Sequence, residues 1–182
     1  MAVEGRDWYA LVTGGGPCPG CGLDAAAVDR ADLGPSLLAE ARSWEDELAD
    51  LAADDDALRH RPSPGTWSAL EYAWHAGDVL HVFAERVRRM RQEADPDLGW
   101  WDQDAAAVEG RYNERPVDEV RARIADGAVA LALGLPRLDD PAAWERTGTR
   151  RETERFTIDT LTRFALHESA HHRLDARRSA RR

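Results

Sequence analysis

The sequence predicts an all-α protein: a four-helix bundle with an irregular N-terminal lead-in that carries a Cys-x-x-Cys pair. Three observations point there. Long stretches repeat apolar residues at steps of three and four, the spacing of one helix face. Breaks rich in Pro and Gly divide those stretches into four main segments. No segment alternates apolar and polar residues in the way a half-buried strand does. With 182 residues, 43% of them apolar and 32% charged, the chain is long enough for one domain whose helices keep wide solvated faces.

Residues 1–33 read as the lead-in. Gly14–Gly16 followed by Pro17-Cys18-Pro19-Gly20-Cys21-Gly22 is a turn-rich knuckle, not helix or strand. The Cys18/Cys21 spacing is half of a tetrahedral zinc site, and no second pair follows. Three readings stand: a tight loop with two reduced thiols, a zinc pair completed by another chain or a distant His, or a redox pair. The first long helix runs from Pro35 to about Asp54, with Leu37, Leu38, Ala41, Trp44, Leu48 and Leu51 on one face. Asp54-Asp55-Asp56 opposes the dipole at its end and favours an early stop.

A loop with Pro62 and Pro64 leads to the second helix, which Thr66 or Ser68 caps; Ser68-x-x-Glu71 is a capping-box pattern. That helix runs to about Glu93, with His75 among its inward positions and His81 off that stripe, facing out. After a break at Asp95–Gly99 comes a short helical piece from Gln103 to about Arg111. The third long helix opens at Pro116 and closes at Gly134. Gly134–Gly148 reads as a loop anchored by Trp144. The fourth helix covers Thr157–Arg178, with Thr157 as N-cap and Phe156 packed before it. Residues 34–178 thus form the bundle, and 179–182 a basic tail.

Composition narrows the function. A formal net charge of -10 argues against a nucleic-acid partner. All 24 basic residues are arginine, which reflects codon usage more than chemistry. No apolar run is long enough to span a membrane, and the N-terminus, with acids and no apolar core, does not read as a signal peptide. Two cysteines in one pair do not make a disulfide framework, so a cytoplasmic setting is expected.

The chemistry concentrates in the fourth helix, which holds three of the six histidines. Residues four and seven apart share a helix face, which gives two rival sets. Glu168, His172 and Asp175 continue the stripe of Ile158, Leu161 and Ala165. His167 and His171 continue the stripe of Thr160, Phe164 and Leu174. A core-facing Glu168 needs a cation; a metal shared with His172, and completed by His75 from the second helix, would supply it. Three protein ligands leave a position open, the layout of a catalytic site. Asp175 would then orient His172 from behind. Against this stands the plainer reading of a satisfied core histidine and a surface Glu-x-x-x-His pair.

Pro64-Gly65-Thr66-Trp67-Ser68-Ala69-Leu70-Glu71-Tyr72-Ala73-Trp74-His75 resembles the Pro-x-x-Trp-Ser/Thr-x-x-Glu-x-x-x-His signature of the DinB/YfiT-like superfamily of metalloenzymes, and the fourth helix resembles that family's second metal motif. The likeness spans roughly Pro35–Asp175. It implies a four-helix bundle holding a divalent metal, commonly through three histidines. The thiol-dependent branch, which includes mycothiol-dependent maleylpyruvate isomerase, uses His, Glu and His with Glu-x-x-x-His-x-x-Asp in the last helix, and Glu168, His172 and Asp175 match it position by position. The three-histidine motif, His-x-x-x-His-x-Gly-Gln, would put its first ligand on Glu168 and replace Gly-Gln by Leu174-Asp175. The resemblance therefore implies His75, Glu168 and His172 as ligands, with Asp175 and His171 supporting them and His167 as an alternative ligand.

Three functions follow as expectations. The first is a metal-dependent enzyme that activates a low-molecular-weight thiol for S-transfer or isomerisation of a small molecule, with Arg111, Tyr112, Asn113 and Arg115 as substrate contacts. The second is a metal-dependent hydrolase. The third is a non-catalytic, stress-related metal-binding module. Zinc is the foremost metal, with nickel, iron and manganese suited to the same donors. A homodimer is also compatible with a bundle of this size.

Overall fold

The computed structural model describes residues 8–181. Eight helices occur among them: α1 (Trp8–Gly14), α2 (Leu33–Leu51), α3 (Asp55–Arg59), α4 (Ala69–Gln92), α5 (Gln103–Glu109), α6 (Val117–Gly134), α7 (Pro141–Trp144) and α8 (Ile158–Ala180). The long helices α2, α4, α6 and α8 make the bundle. Each packs on two neighbours: α4 on α6 and α8, and α2 on the same pair. The ring order is therefore α2–α6–α4–α8, and helices consecutive among the four long ones, α2 and α4, face each other across it.

Local chemistry sets the helix starts. At α4, Ser68 Oγ accepts from Glu71 N–H at 3.2 Å while the Glu71 carboxylate accepts from Ser68 N–H at 2.9 Å. At α8, Thr157 and Thr160 make the same reciprocal pair. Leu37, Trp44 and Leu48 from α2 meet Leu70, Leu80 and Val87 from α4, Ile124 and Leu131 from α6, and Ile158 and Leu161 from α8 in one core. Trp44 Nε1 donates to Ser169 Oγ at 3.0 Å, which satisfies the indole inside that core. The α4–α6 crossing is close. A Cβ on Gly77 would lie 2.9 Å from Arg123 Cγ, and one on Gly127 would lie 2.8 Å from Leu80 Cβ.

Several features depart from the sequence expectations. The lead-in is not wholly irregular, since α1 and two 3-10 turns, Ala25–Ala27 and Arg30–Asp32, flank the knuckle. The acidic run after α2 ends that helix and starts another: Asp54 caps α3, its carboxylate accepting from Ala57 N–H at 3.0 Å. Strands exist after all. β1 (Thr147–Arg150) and β2 (Glu154–Thr157) form an antiparallel hairpin with Gly148 opposite Phe156. Its first strand begins at the end of the Gly134–Gly148 stretch that reads as a loop, and its second leads into α8. His81 does not point out but is half-buried against Gly127 of α6.

The largest departure concerns α8. Its two candidate stripes do not compete, because the lead-in folds back and covers the second one. Arg163 donates to the carbonyls of Ala25, Ala26 and Val28 at 2.8, 3.0 and 2.6 Å. Near the other end, Arg178 donates to the Gly20 carbonyl at 3.1 Å. Phe164, His167 and His171 are consequently as buried as Leu161, Ala165 and His172.

Candidate metal centre

The capping box fixes where α4 begins, and that places His75 two turns inside it, facing α8. Glu168 and His172 stand one turn apart on α8 and share a face. One ligand-type atom from each of the three lies within 4.8 Å of the others. The His75 and His172 rings meet edge to face at 4.8 Å between centroids. His172 Nε2 is 3.4 Å from Glu168 Oε2, and its Nδ1 donates to Asp175 Oδ2 at 3.3 Å. Thus Asp175 holds the ring with Nε2 turned toward Glu168 and His75.

Aromatic rings enclose the group. Trp101 lies parallel to His75 at 5.3 Å, Trp67 packs on it at 4.9 Å, and Tyr72 stacks on His172 at 5.5 Å. His75 is fully buried, and neither of its nitrogens has a hydrogen-bond partner among the described residues. Such an orphan costs roughly 1–3 kcal/mol. A cation between His75, Glu168 and His172 would satisfy it, and the donor set, two imidazoles and a carboxylate, suits a divalent transition metal.

The charges follow from burial and pairing. Burial, aided by the charge of His172, lowers His75 to about 3, so it is a neutral imidazole. Burial alone would raise Glu168, but the hydrogen bond and charge of His172 outweigh it and lower the carboxyl to about 2. Burial would lower His172, yet Asp175 and Glu168 together raise it to about 9. Without metal, the group is a carboxylate–imidazolium pair beside a neutral histidine.

A second group lies on the adjacent face of α8. Cys18, Cys21, His167 and His171 each bring one ligand-type atom within 4.8 Å of the others. Trp8 packs on both imidazoles, at 4.7 Å from each. Burial lowers His167 to about 4, lowers His171, and raises the Cys21 thiol to about 11. The sequence placed His171 behind the ligands and His167 as an alternative to them, or both at the surface. In the structure both are buried, and their ligand-type atoms group with those of Cys18 and Cys21. The contact between Cys18 and His171 spans 153 positions, so nothing local announces it.

The residues read as substrate contacts are engaged in the fold. Tyr112 is buried and donates to the Asp78 carboxylate. Asn113 accepts from Ser68 Oγ at 2.6 Å and donates to the Arg59 carbonyl at 2.9 Å. Arg115 lies over the Trp74 ring at 4.5 Å, and Arg111 pairs with Glu114 at the surface. The rings that do wall the site, Tyr72 and Trp101, went unrecognised. Tyr72 carried a signal, one turn before His75 on the same helix; Trp101 carried none.

Fold and site together define a class: helical bundles with a His–Glu–His group, its two histidines buried, between two long helices. The chain belongs to the DinB superfamily, whose family model matches residues 36–176. Among solved structures it is similar to YfiT from Bacillus subtilis, described as a probable metal-dependent hydrolase with an unusual four-helix bundle topology. The TM-score is 0.67 at 14% identity, over 85% of this chain and 89% of YfiT, a likeness of fold. No curated protein sequence matches the chain significantly. Among the described residues no helix is long and apolar enough to cross a membrane.

Proposed function

We propose that the protein is a divalent-metal-dependent enzyme acting on a small molecule, with the metal held by His75, Glu168 and His172. The observation that carries this reading is the fully buried His75, both nitrogens unpartnered, beside a carboxylate that burial alone would penalise. Bound there, a divalent cation, zinc foremost, supplies Lewis acidity that makes a small thiol or water nucleophilic near neutral pH.

The chain's own residues prepare the position. Asp175 fixes the tautomer of His172 and keeps Nε2 free to ligate. Glu168 brings a full negative charge that lowers the net charge of a loaded site. Trp67, Tyr72 and Trp101 keep bulk water from the histidine rings, which strengthens every charge inside. Three ligands from the protein leave coordination space for a substrate atom.

The nucleophile is a low-molecular-weight thiol in the reading favoured here, for S-transfer or thiol-dependent isomerisation. It is supported by the Glu168-x-x-x-His172-x-x-Asp175 arrangement, with Asp175 bonded to the ligand it follows. A reducing cytoplasm, where such thiols are held reduced, is the compartment proposed with it. A hydrolytic reading is favoured by the fold shared with YfiT. Assays of metal-loaded protein on an activated ester and on a soft electrophile, each with and without added thiol, separate the two. Turnover that requires thiol and disappears in Glu168→Gln is expected; equal turnover without thiol would transfer the assignment to hydrolysis.

A further inference from the structure

We propose that Cys18, Cys21, His167 and His171 form a second metal site, a four-ligand structural centre of the zinc type that clamps the lead-in onto α8. The spacing fits such a centre on both sides: a Cys-x-x-Cys knuckle and a His-x-x-x-His pair one helical turn apart. All four ligand-type atoms lie within 4.8 Å of one another. A tetrahedron with bonds of about 2.0–2.3 Å has edges of roughly 3.3–3.8 Å. Cys18 Sγ and His171 Nδ1, 3.5 Å apart, already stand at that separation. The Cys21 and His167 ligand atoms lie within 4.8 Å of these two.

The backbone is shaped for the task. Gly20 N–H donates to Cys18 Sγ at 3.3 Å, a donor that suits a thiolate ligand. Cys18 N–H donates to the Leu23 carbonyl at 2.9 Å, and Gly22 N–H to the Cys18 carbonyl at 2.7 Å. Gly22 has φ of +79°, which lets the chain turn back immediately after Cys21. An independent observation points to a ligand: His167 is fully buried, and neither ring nitrogen has a hydrogen-bond partner among the described residues. Four protein ligands leave no open position, so this centre is structural, in contrast to the three-residue group beside it.

The two groups share a carboxylate. Asp175 Oδ2 lies 3.4 Å from His171 Nε2 and 3.3 Å from His172 Nδ1. The nitrogens it holds are the ones turned away from each ligand cluster. A metal on His171 would therefore lie one imidazole away from the carboxylate that orients His172.

Metal analysis and cobalt(II) substitution of the full chain test the assignment. Two metals per chain are expected, and the cobalt form, prepared without added thiol, shows a thiolate-to-metal charge-transfer absorption that its His–Glu–His site then cannot give. Cys18→Ser should lose that band and one metal; His75→Ala should lose the other metal and keep the band, so the two sites fail separately. If the cysteine variant does not fold, the wild type decides through alkylation of its thiols, with protection by zinc and exposure by chelator supporting the site. Absence of the band, a band that survives both His167→Ala and His171→Ala, equal alkylation with and without zinc, or a Cys18–Cys21 disulfide in protein purified under reducing conditions would overturn it.

Discussion

His172 stands between Glu168 and Asp175, and its proton governs how the metal-free protein responds to pH. Its folded value of about 9 lies above the ordinary 6.5, so its contribution to stability is full below pH 6.5 and is lost as pH rises toward 9. His75 and His167 act in the opposite direction. Their folded values, about 3 and about 4, lie below 6.5, so the unfolded chain binds more protons as pH falls and stability is lost on the acid side. Urea unfolding of chelated protein should therefore give a maximum near pH 6.5 with a loss on each side, and a flat profile between 6.5 and 9 would contradict the pairing of His172. Ser68 is a second residue whose capping role is legible, as one of the two candidates that the sequence offers. Its hydroxyl caps α4 and donates to Asn113, so Ser68→Ala should cost about 1–2 kcal/mol in the same experiment. In the sequence signature that contains it, Ser68 and Glu71 build the helix start, Trp67 packs on His75, and His75 alone offers a ligand atom. Such roles are legible because cap and ligand residues sit within a turn or two of each other. Trp101 was not, because it reaches His75 from a different segment.

At the scale of elements, the sequence reading worked where a helix carries its own start and stop. The capping boxes of α4 and α8 are local chemistry, and α6 ends at Gly134 as its sequence indicates. The hairpin escaped because β1 and β2 are four residues each, with one buried side in each strand (Gly148 and Phe156) and no apolar alternation. Likewise the Asp54–Asp56 run looked like a poor helix end, whereas Asp54 caps the next helix. The crossing of α4 and α6 depends on Gly77 and Gly127, which let the backbones approach. Gly127→Ala should cost about 1–3 kcal/mol through contact with Leu80 Cβ, despite the better helix propensity of alanine. A thermal melt reads this directly; an unchanged or raised midpoint would mean that the helices separate freely.

The whole molecule is a bundle wrapped on one side by its own lead-in. The bundle was readable from periodicity, since each long helix buries its own stripe. The ring order and the wrapping were not, because both depend on partners far apart in sequence. Arg163 illustrates the wrapping: it is buried, pairs with Asp159 at 2.6 Å, and spans three lead-in carbonyls. Arg163→Ala leaves those oxygens without their donor and Asp159 with Arg30 as its remaining cation, and should cost about 1–3 kcal/mol. It should also speed proteolysis of residues 15–30 ahead of the bundle; simultaneous cleavage of both would show that the lead-in has no separate stability.

A metal between α4 and α8 is the feature on which the proposed chemistry depends. Native mass spectrometry of the Cys18→Ser protein, which removes the knuckle from consideration, and of the same protein carrying His75→Ala, Glu168→Gln or His172→Ala tests it most directly. One metal per chain is expected in the first and none in the other three. Retention of that metal in the Glu168→Gln protein would contradict the ligand set.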